Sequence, residues 1–234
     1  MESFVRDLRY AVRRLLKKPL FAAIAVASLA IGIGANTAIF TLVNAIVLRD
    51  LPLEESEELV EVYRSVAGFS HATFSIPDMV DFAREMEDIY VGVAGSQLTL
   101  SQLDVGQGVE TLPAELVTGN YFPLLGVSAA IGRTLLPEDD VSPGGHPVVM
   151  LDHGFWRSHF GGDEGIVGDE IRLNGRPYTV VGVAPRAYTG NLRGLTPAFY
   201  APMMMVGQLN PSDSDQLEAR GNQNTFVKAR LVPG

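Results

Sequence analysis

Hydrophobic side chains dominate one continuous segment near the start of the chain. Residues 20–48 contain no charged side chain over 29 positions. At about 1.5 Å per residue, a helix of this length extends for roughly 43 Å, whereas the hydrocarbon core of a bilayer is about 30 Å thick. The pattern therefore predicts a transmembrane helix, which we place at residues 19–48. A cleaved signal peptide is the main alternative, but its apolar region typically spans only about 7–15 residues.

The residues before this segment repeat with the period of a helix. Residues 1–18 carry apolar side chains three to four positions apart, with basic side chains on the other side. The apolar positions are Phe4, Val5, Leu8, Val12, Leu15 and Leu16. The pattern predicts a cytoplasmic amphipathic helix at residues 1–18 that contacts anionic membrane lipid. Alternatively, the basic side chains serve only as a topology signal.

Charge is distributed unevenly along the chain. Residues 1–48 hold six Lys or Arg and two Asp or Glu, whereas residues 49–234 hold twelve and twenty-five. Positive charge beside a spanning helix stays in the cytoplasm, so the N-terminus is predicted to be cytoplasmic and residues 49–234 periplasmic or extracellular. The acidic outer part argues against a nucleic-acid partner, which requires a basic face.

Small and polar side chains interrupt the predicted span along two lines. The first line holds Ser28, Gly32 and Asn36, and the second holds Thr37, Thr41 and Asn44. Small residues let helices approach closely, and amides or hydroxyls form hydrogen bonds across a helix pair. We interpret these six positions as helix-packing candidates. The alternative is that such residues are simply common in spanning helices.

Short elements separated by turns follow the span, in keeping with 24 glycines and 14 prolines in the chain. Strands are predicted at residues 59–64, twice within 89–103, and at 109–117, 147–151, 170–173, 178–183, 199–200 and 225–231. Helices are predicted at residues 76–88 behind a Ser75 cap, at 119–126, and after Asp152. The mixture indicates an α+β extracytoplasmic domain at residues 49–234. Its last strand looks like an element whose partner is missing.

Three residues of the outer domain are predicted structural anchors. Trp156 is the only tryptophan and lies beside Phe155, so it is expected in the core. Asn174 and Gly175 form the dipeptide that favours a two-residue hairpin turn, although the loop could extend through Pro177. The run Met203 to Met205 is expected in the core as well.

Catalytic patterns are missing from the sequence, and we expect a protein that is not an enzyme. There is no cysteine and no G-x-x-x-x-G-K-[ST] phosphate loop. His146, His153 and His159 are seven and six positions apart, a spacing that puts no two of them one helical turn apart for a metal. The acidic residues 138–140 lie in a loop rich in proline and glycine, and we expect them to be solvated.

Several short motifs resemble those of MacB-like ABC transporter permeases. They are Gly32 to Phe40 (GIGANTAIF), Leu51-Pro52, Asn120-Tyr121-Phe122, Gly126-Val127, Gly132-Arg133, Leu151, Phe155-Trp156, Phe160-Gly161-Gly162, Gly168, Asn174-Gly175-Arg176 and Val180-Val181-Gly182-Val183. The resemblance implies a permease subunit of the bacterial inner membrane, in an efflux or mechanotransmission complex. It also implies a cytoplasmic ABC ATPase, a second permease copy and a periplasmic adaptor as partners, without a cofactor.

The resemblance further implies spanning helices after the outer domain, and strand 225–231 resembles the return strand of a split subdomain. On that basis we interpret the chain as a truncated product or a fragment. A single-pass anchored module that binds or scaffolds other molecules outside the cell is the alternative hypothesis.

Overall fold

The computed structural model describes residues 17–43, 58–66, 68–104, 108–191, 194–211 and 215–232. The chain divides into two compact units at residue 50. The first unit contains helix α1 (Pro19–Val43), of which Pro19–Thr41 is long and apolar enough to cross a membrane. Most of the predicted amphipathic helix (residues 1–16) and the end of the predicted span (residues 44–48) lie outside the described residues.

The second unit is built from eleven described strands and four short helices. The strands are β1 (Leu59–Val62), β2 (Arg64–Val66), β3 (Phe69–Ala72), β4 (Tyr90–Asp104), β5 (Val109–Val117), β6 (Ile131–Gly132), β7 (Val148–Leu151), β8 (Glu170–Leu173), β9 (Arg176–Val183), β10 (Phe199–Pro202) and β11 (Phe226–Leu231). The helices are α2 (Ile76–Glu85), α3 (Tyr121–Leu125), α4 (His153–His159) and α5 (Val206–Leu209). Single 3₁₀ turns occupy Pro137–Asp140, Glu164–Ile166 and Met203–Met205. The α+β prediction is confirmed.

Nine of these strands form one sheet that closes on itself. The order is β1-β11-β4-β5-β10-β7-β9-β6, and β8 pairs with both β4 and β9. Because Leu173 of β8 lies opposite Leu103 of β4, the path from β4 through β5, β10, β7, β9 and β8 returns to β4. We call these six strands the ring. Within it β10 runs parallel to β5, and β7 runs parallel to β9.

Strand β4 belongs to both the ring and the sheet outside it. Its first half pairs with β11 and its second half with β5, and Ser96 takes part in both pairings. The prediction of two short strands within residues 89–103 is therefore wrong. Glycine is needed within the strand for packing, because a Cβ atom added at Gly95 would lie 2.2 Å from the Met79 sulfur.

The last strand is paired on both sides, so the prediction that its partner is missing is wrong. Strand β11 lies between β1 and β4, antiparallel to each. Lys228, for example, faces Glu61 on one side and Ala94 on the other. The partner that the sequence did not reveal is β1, about 170 positions earlier in the chain.

Two hydrophobic clusters lie on opposite faces of the ring strands. Alternate residues of each ring strand face the first cluster, among them Leu116, Leu151 and Phe199, all fully buried. The intervening residues of β5, β7 and β10 face the second cluster, where Tyr200 packs with residues of α3. Both faces of these strands are covered, which explains why the sequences of β7 and β10 are almost continuously apolar.

Capping residues set the starts of two helices as the sequence predicted. The Ser75 hydroxyl accepts a hydrogen bond from the Asp78 amide at 3.1 Å at the start of α2, and Asp152 caps α4. Such caps satisfy backbone N–H groups that have no partner within the helix. Helix α2 ends at Glu85, three residues before the predicted end.

Candidate functional site

The polar positions of α1 lie on the outside of a helix whose described side chains are all exposed. Ser28, Gly32, Asn36, Thr37 and Thr41 are exposed, whereas Asn44 lies outside the described residues. Since successive residues turn by about 100°, the first three form one line and the two threonines form another. A Cβ atom built at Gly32 meets no other atom within 4 Å. A neighbouring helix therefore has room to approach there.

Trp156 is placed in the core by the cap of α4. The Asp152 carboxylate accepts a hydrogen bond from the Phe155 amide at 2.9 Å, which starts the helix and turns Phe155 and Trp156 inward. Trp156 is 6% exposed. Its indole Nε1 donates to the backbone oxygen of Asp163 at 2.8 Å, so the ring also fixes the turn after the helix.

Asn174 and Gly175 form a two-residue turn between β8 and β9, which confirms the shorter of the two predicted loops. Their φ angles are 49° and 76°, the left-handed values of the favoured hairpin turn. The Asn174 side chain donates to the backbone oxygens of Gln208 and Leu209 at 3.0 and 2.9 Å. Its oxygen accepts from the Gln102 amide at 2.8 Å. One side chain thus connects the hairpin, β4 and α5.

The sequence led us to expect that the acidic residues 138–140 are solvated. The structure shows instead that two of the three are held by other groups of the protein. Arg133 donates two hydrogen bonds to the Asp139 carboxylate, at 2.5 and 2.8 Å, and Asp139 is 4% exposed. Burial alone raises the pKa of Asp139, but Arg133 and the Leu136 amide outweigh it, so the pKa lies below its usual value. Asp139 therefore folds the loop back on Arg133.

Asp140 holds the same loop against two other segments. Its carboxylate accepts hydrogen bonds from the amides of Met204 and Gly119, at 2.8 and 3.0 Å. Burial raises the pKa of Asp140 to about 6, although these amides favour the charged form. Only Glu138 of the three acidic residues is exposed, as predicted.

The three histidines that the sequence offered do not come together. Within the described ranges, no three His, Cys, Asp or Glu side chains are grouped as a metal site would require. His159 instead lies 3.2 Å from Glu110. His159 borders a cavity of about 540 Å³, which lies where β4 ends and β8 begins. That cavity is lined by Leu103, Asp104, His159, Phe160, Glu170, Ile171 and Arg172.

A comparison with known protein families matches residues 22–231 to the MacB-like periplasmic core domain. The chain belongs to this family. Members of this family are components of transporter permeases rather than classical enzymes. The match begins within α1 and ends at the last residue of β11, so it covers the apolar helix and the outer domain together. No curated protein matches the chain.

Two solved structures resemble this MacB-like chain in fold. One is the extracellular domain of the noncanonic ABC-type transporter YknZ from Gram-positive bacteria, at 16% identity and a TM-score of 0.50. The match covers 76% of this chain and 83% of that one. The other is the periplasmic region of MacB from Actinobacillus actinomycetemcomitans, at 19% identity and a TM-score of 0.51, with 76% and 78% covered.

Two glycines of the MacB-like motifs lie opposite each other where β6 pairs antiparallel with β9. A Cβ atom at Gly132, whose φ is 72°, would lie 2.4 Å from the Val181 oxygen. A Cβ atom at Gly182 would lie 2.2 Å from the Arg133 oxygen. Neither position has room for a side chain, so the motif glycines are explained by this close approach.

Sequence reasoning missed one buried carboxyl group in the MacB-like domain. Glu115 lies on β5 and is 1% exposed. The available signal was a glutamate between alanine and leucine near the end of the strand predicted at residues 109–117. Such a group has to lose its charge or find partners, and the sequence alone does not reveal which.

Proposed function

We propose that this chain is part of a permease subunit in an ABC-type efflux or mechanotransmission complex. In that complex, ATP hydrolysis by a cytoplasmic partner is coupled to the outer domain. The observation that carries the proposal is the continuous family match from α1 through β11. One family model covers both the apolar helix and the outer domain. A helix and a domain that occur together in this way are suited to carry motion from one side of a membrane to the other.

The proposed location is the bacterial inner membrane, with the N-terminus in the cytoplasm and the domain outside. Six basic and two acidic side chains within residues 1–48, against a strongly acidic remainder, support this orientation. The proposed divisions are a cytoplasmic amphipathic helix at residues 1–18, the span at 19–48 and the outer domain at 49–234.

The proposed partners follow from the family and from what α1 exposes. Because MacB- and YknZ-type permeases work with ABC ATPases, we assign the energy source to a cytoplasmic ABC ATPase. The exposed lines through Gly32 and Thr37 favour packing against other helices, which we assign to a second permease copy. Membrane lipid covers the rest of α1, and a periplasmic adaptor is the proposed partner of the outer domain.

Crosslinking through single cysteines tests the helix pairing. The chain has no cysteine, so Gly32→Cys and Asn36→Cys each introduce a unique thiol. Ile31→Cys is the matched control, because Ile31 is 72% exposed and lies about 100° around α1 from Gly32, between the two polar lines. We expect disulfide-linked dimers from membranes for the first two variants and not for the control. Equal yields for all three would contradict the pairing.

Co-purification from the same membranes tests the ATPase partner. The full chain, solubilised in mild detergent, is expected to recover a cytoplasmic ATPase whose activity depends on the permease. Recovery of a monomer without an ATPase would favour an anchored binding module instead. The cavity of about 540 Å³ beside His159 is the observation that favours that second candidate, since its volume suits a small ligand.

A further inference from the structure

Oxygen-bearing side chains from three strands lie on one face of the ring. Tyr200 of β10 lies directly opposite Glu115 of β5, and paired residues on neighbouring strands, about 4.8 Å apart, share a face. Ser96 of β4 lies opposite Val117 of β5, two positions from Glu115, so its hydroxyl is on that face as well. All three side chains are at most 1% exposed. This face carries the second hydrophobic cluster.

The segment after β9 covers the Glu115 carboxyl group. The backbone amide of Asn191 donates a hydrogen bond to Glu115 Oε2 at 3.3 Å. A Cβ atom added at Gly190 would lie 3.2 Å from the same oxygen and 2.7 Å from the Pro197 ring. The cover is therefore tight, and the residue that supplies the amide also carries a side-chain oxygen.

Tyr121 of α3 approaches the carboxyl group from outside the sheet. Its hydroxyl oxygen accepts a hydrogen bond from the Tyr188 hydroxyl at 3.1 Å, and the Tyr188 ring lies 5.6 Å from the Tyr200 ring. Burial raises the pKa of the Tyr121 and Tyr200 phenols, and the charge of Glu115 raises both pKa values further. Against burial, the Ser96 hydroxyl favours the charged forms of Glu115 and Tyr121, which places it between the two. We call Ser96, Glu115, Tyr121, Asn191 and Tyr200 the Glu115 cluster.

Four oxygen atoms of the Glu115 cluster have no hydrogen-bond partner of good geometry in the part of the chain that the structure describes. They are Ser96 Oγ, Glu115 Oε1, Asn191 Oδ1 and Tyr200 Oη. Buried polar atoms are nearly always paired, and a buried carboxylate without compensation is strongly destabilising. Each of the four atoms offers a lone pair, so a cation among them satisfies all four at once.

The chemistry of these atoms selects the kind of cation. Oxygen ligands suit hard cations. Glu115 is the one acid of the cluster, and the described ranges contain no group of three His, Cys, Asp or Glu side chains. One carboxylate balances the charge of a monovalent ion and leaves a divalent ion half compensated. The tight cover at Gly190 favours the smaller of the two common monovalent ions, sodium over potassium.

We propose that the Glu115 cluster binds one sodium ion, with the Glu115 carboxylate as the charged ligand and oxygens of Ser96, Asn191 and Tyr200 as neutral ligands. The ion joins three strands, β4, β5 and β10, to the segment that follows β9. It thereby fixes that segment against the ring. This inference goes beyond the proposed transport function and does not depend on it.

A proton is the competing occupant of the carboxyl group. Burial raises the pKa of Glu115 to about 7, although the Ser96 hydroxyl, the Asn191 amide and the charge of Lys228 favour the charged form. The carboxylate therefore prevails at pH 8, where sodium and the proton are most easily distinguished.

Thermal unfolding of the full chain in detergent tests sodium binding. The midpoint is measured at pH 8 in NaCl, KCl and N-methyl-D-glucamine chloride at equal concentration, which keeps the ionic strength constant. We expect the midpoint in NaCl to be higher by about 5–10 °C once sodium exceeds its dissociation constant a hundredfold. Equal midpoints in the three salts, or a larger rise in KCl than in NaCl, would overturn the proposal.

Two variants locate the effect. Glu115→Gln removes the charge with little change of shape and is expected to abolish the difference between NaCl and N-methyl-D-glucamine chloride. Glu110→Gln is the matched control, an exposed glutamate on the same strand, and keeps the difference. A full sodium effect in Glu115→Gln would place the ion elsewhere and overturn the assignment.

Tyr200→Phe tests one neutral ligand and keeps the aromatic packing. It is expected to raise the sodium concentration for half of the effect at least tenfold, a change typical even of outer partners of a metal site. Tyr178→Phe is the matched control, because the hydroxyl of this buried tyrosine bonds to Gln208 instead. Equal sodium requirements in the two variants would contradict Tyr200 as a ligand.

Equilibrium dialysis with radioactive sodium counts the site directly. The native chain at pH 8 is expected to bind one sodium ion that potassium displaces poorly, and Glu115→Gln is expected to bind none. A native chain that binds no sodium would show that a proton alone neutralises Glu115, and the proposal would fail.

Discussion

Helix α1 and the ring use the same apolar residue types in opposite ways. In α1 the large side chains lie open, with Leu20 75% and Ile31 72% exposed. In the ring, Leu116, Leu151 and Phe199 are fully buried against one another. The ring therefore carries its own hydrophobic stabilisation, whereas α1 needs lipid or another helix to cover it. Substitutions in the ring should alter folding, and those in α1 should alter association alone.

The largest expected effect on stability comes from truncating Trp156 of α4, which belongs to the same hydrophobic cluster as the ring residues. Trp156→Ala removes most of the volume of a side chain that is 6% exposed and is expected to destabilise the outer domain by about 3–5 kcal/mol. Chemical denaturation of the full chain in detergent measures the change. Trp156→Phe is the control, which keeps most of the volume and loses only the bond to Asp163, at about 1 kcal/mol. Equal losses in the two variants would show that packing is not the main contribution.

The next effect depends on pH and concerns the Arg133–Asp139 pair. Asp139→Asn leaves Arg133 without its carboxylate and is expected to cost about 1–3 kcal/mol at pH 7. Since the pKa of Asp139 is lowered from 3.8, its contribution is present above about pH 4. It is lost as the pH falls through the lowered value.

Denaturation curves of the native protein and Asp139→Asn should therefore converge in acid. Glu138→Gln is the control on the adjacent, exposed position, and it should leave stability unchanged at every pH. A difference that stays constant down to pH 2 would contradict the ion pair as its source.

A smaller effect is expected at the hairpin turn. Asn174→Ala removes the hydrogen bonds to Gln102, Gln208 and Leu209 and places alanine at a φ of 49°. We expect a loss of about 2 kcal/mol. Asn174→Gly keeps the backbone conformation and removes only the side-chain bonds, so it should lose less. If both variants lose equally, the backbone conformation contributes little.

The smallest effect on stability is expected in α1. Gly32→Leu fills a position with no neighbour within 4 Å and should leave the denaturation of the outer domain unchanged within about 0.5 kcal/mol. The same change should reduce the dimer yield of Asn36→Cys severalfold, because leucine keeps a second helix away. Ile31→Leu is the control, expected to change neither quantity. A loss of outer-domain stability in Gly32→Leu would contradict the claim that substitutions in α1 alter association alone.

Features set by neighbours in sequence could be predicted, and those set across the sheet could not. The caps at Ser75 and Asp152 and the Asn174-Gly175 turn depend on residues within three or four positions, and each was placed correctly. Strand β4 was predicted as two short strands, but it is one strand from Tyr90 to Asp104. Only the position of Met79, on another element, shows why glycine is needed at position 95.

The same limit applies to charged residues. The acidic loop was expected to be solvated because its own sequence is polar, yet Arg133 lies six positions away and folds back on Asp139. Glu115 lies among apolar residues of its own strand, and the Asn191 amide that contacts it comes 76 positions later in the chain. Periodicity identifies which face of a strand a residue occupies, but it does not identify the strand beside it.

The position of β11 has a consequence for how the domain forms during synthesis. Strand β1 pairs with β11 and with no other strand that the structure describes. The first of the described strands to be synthesised can therefore pair only after the last of them has been synthesised. Contacts between residues so far apart close slowly, because a long loop has to be ordered first. The first half of β4 also lacks its β11 partner until then. The sheet of this domain therefore keeps exposed strand edges, which chaperones or other unfolded chains can bind, until the residues of β11 have been synthesised.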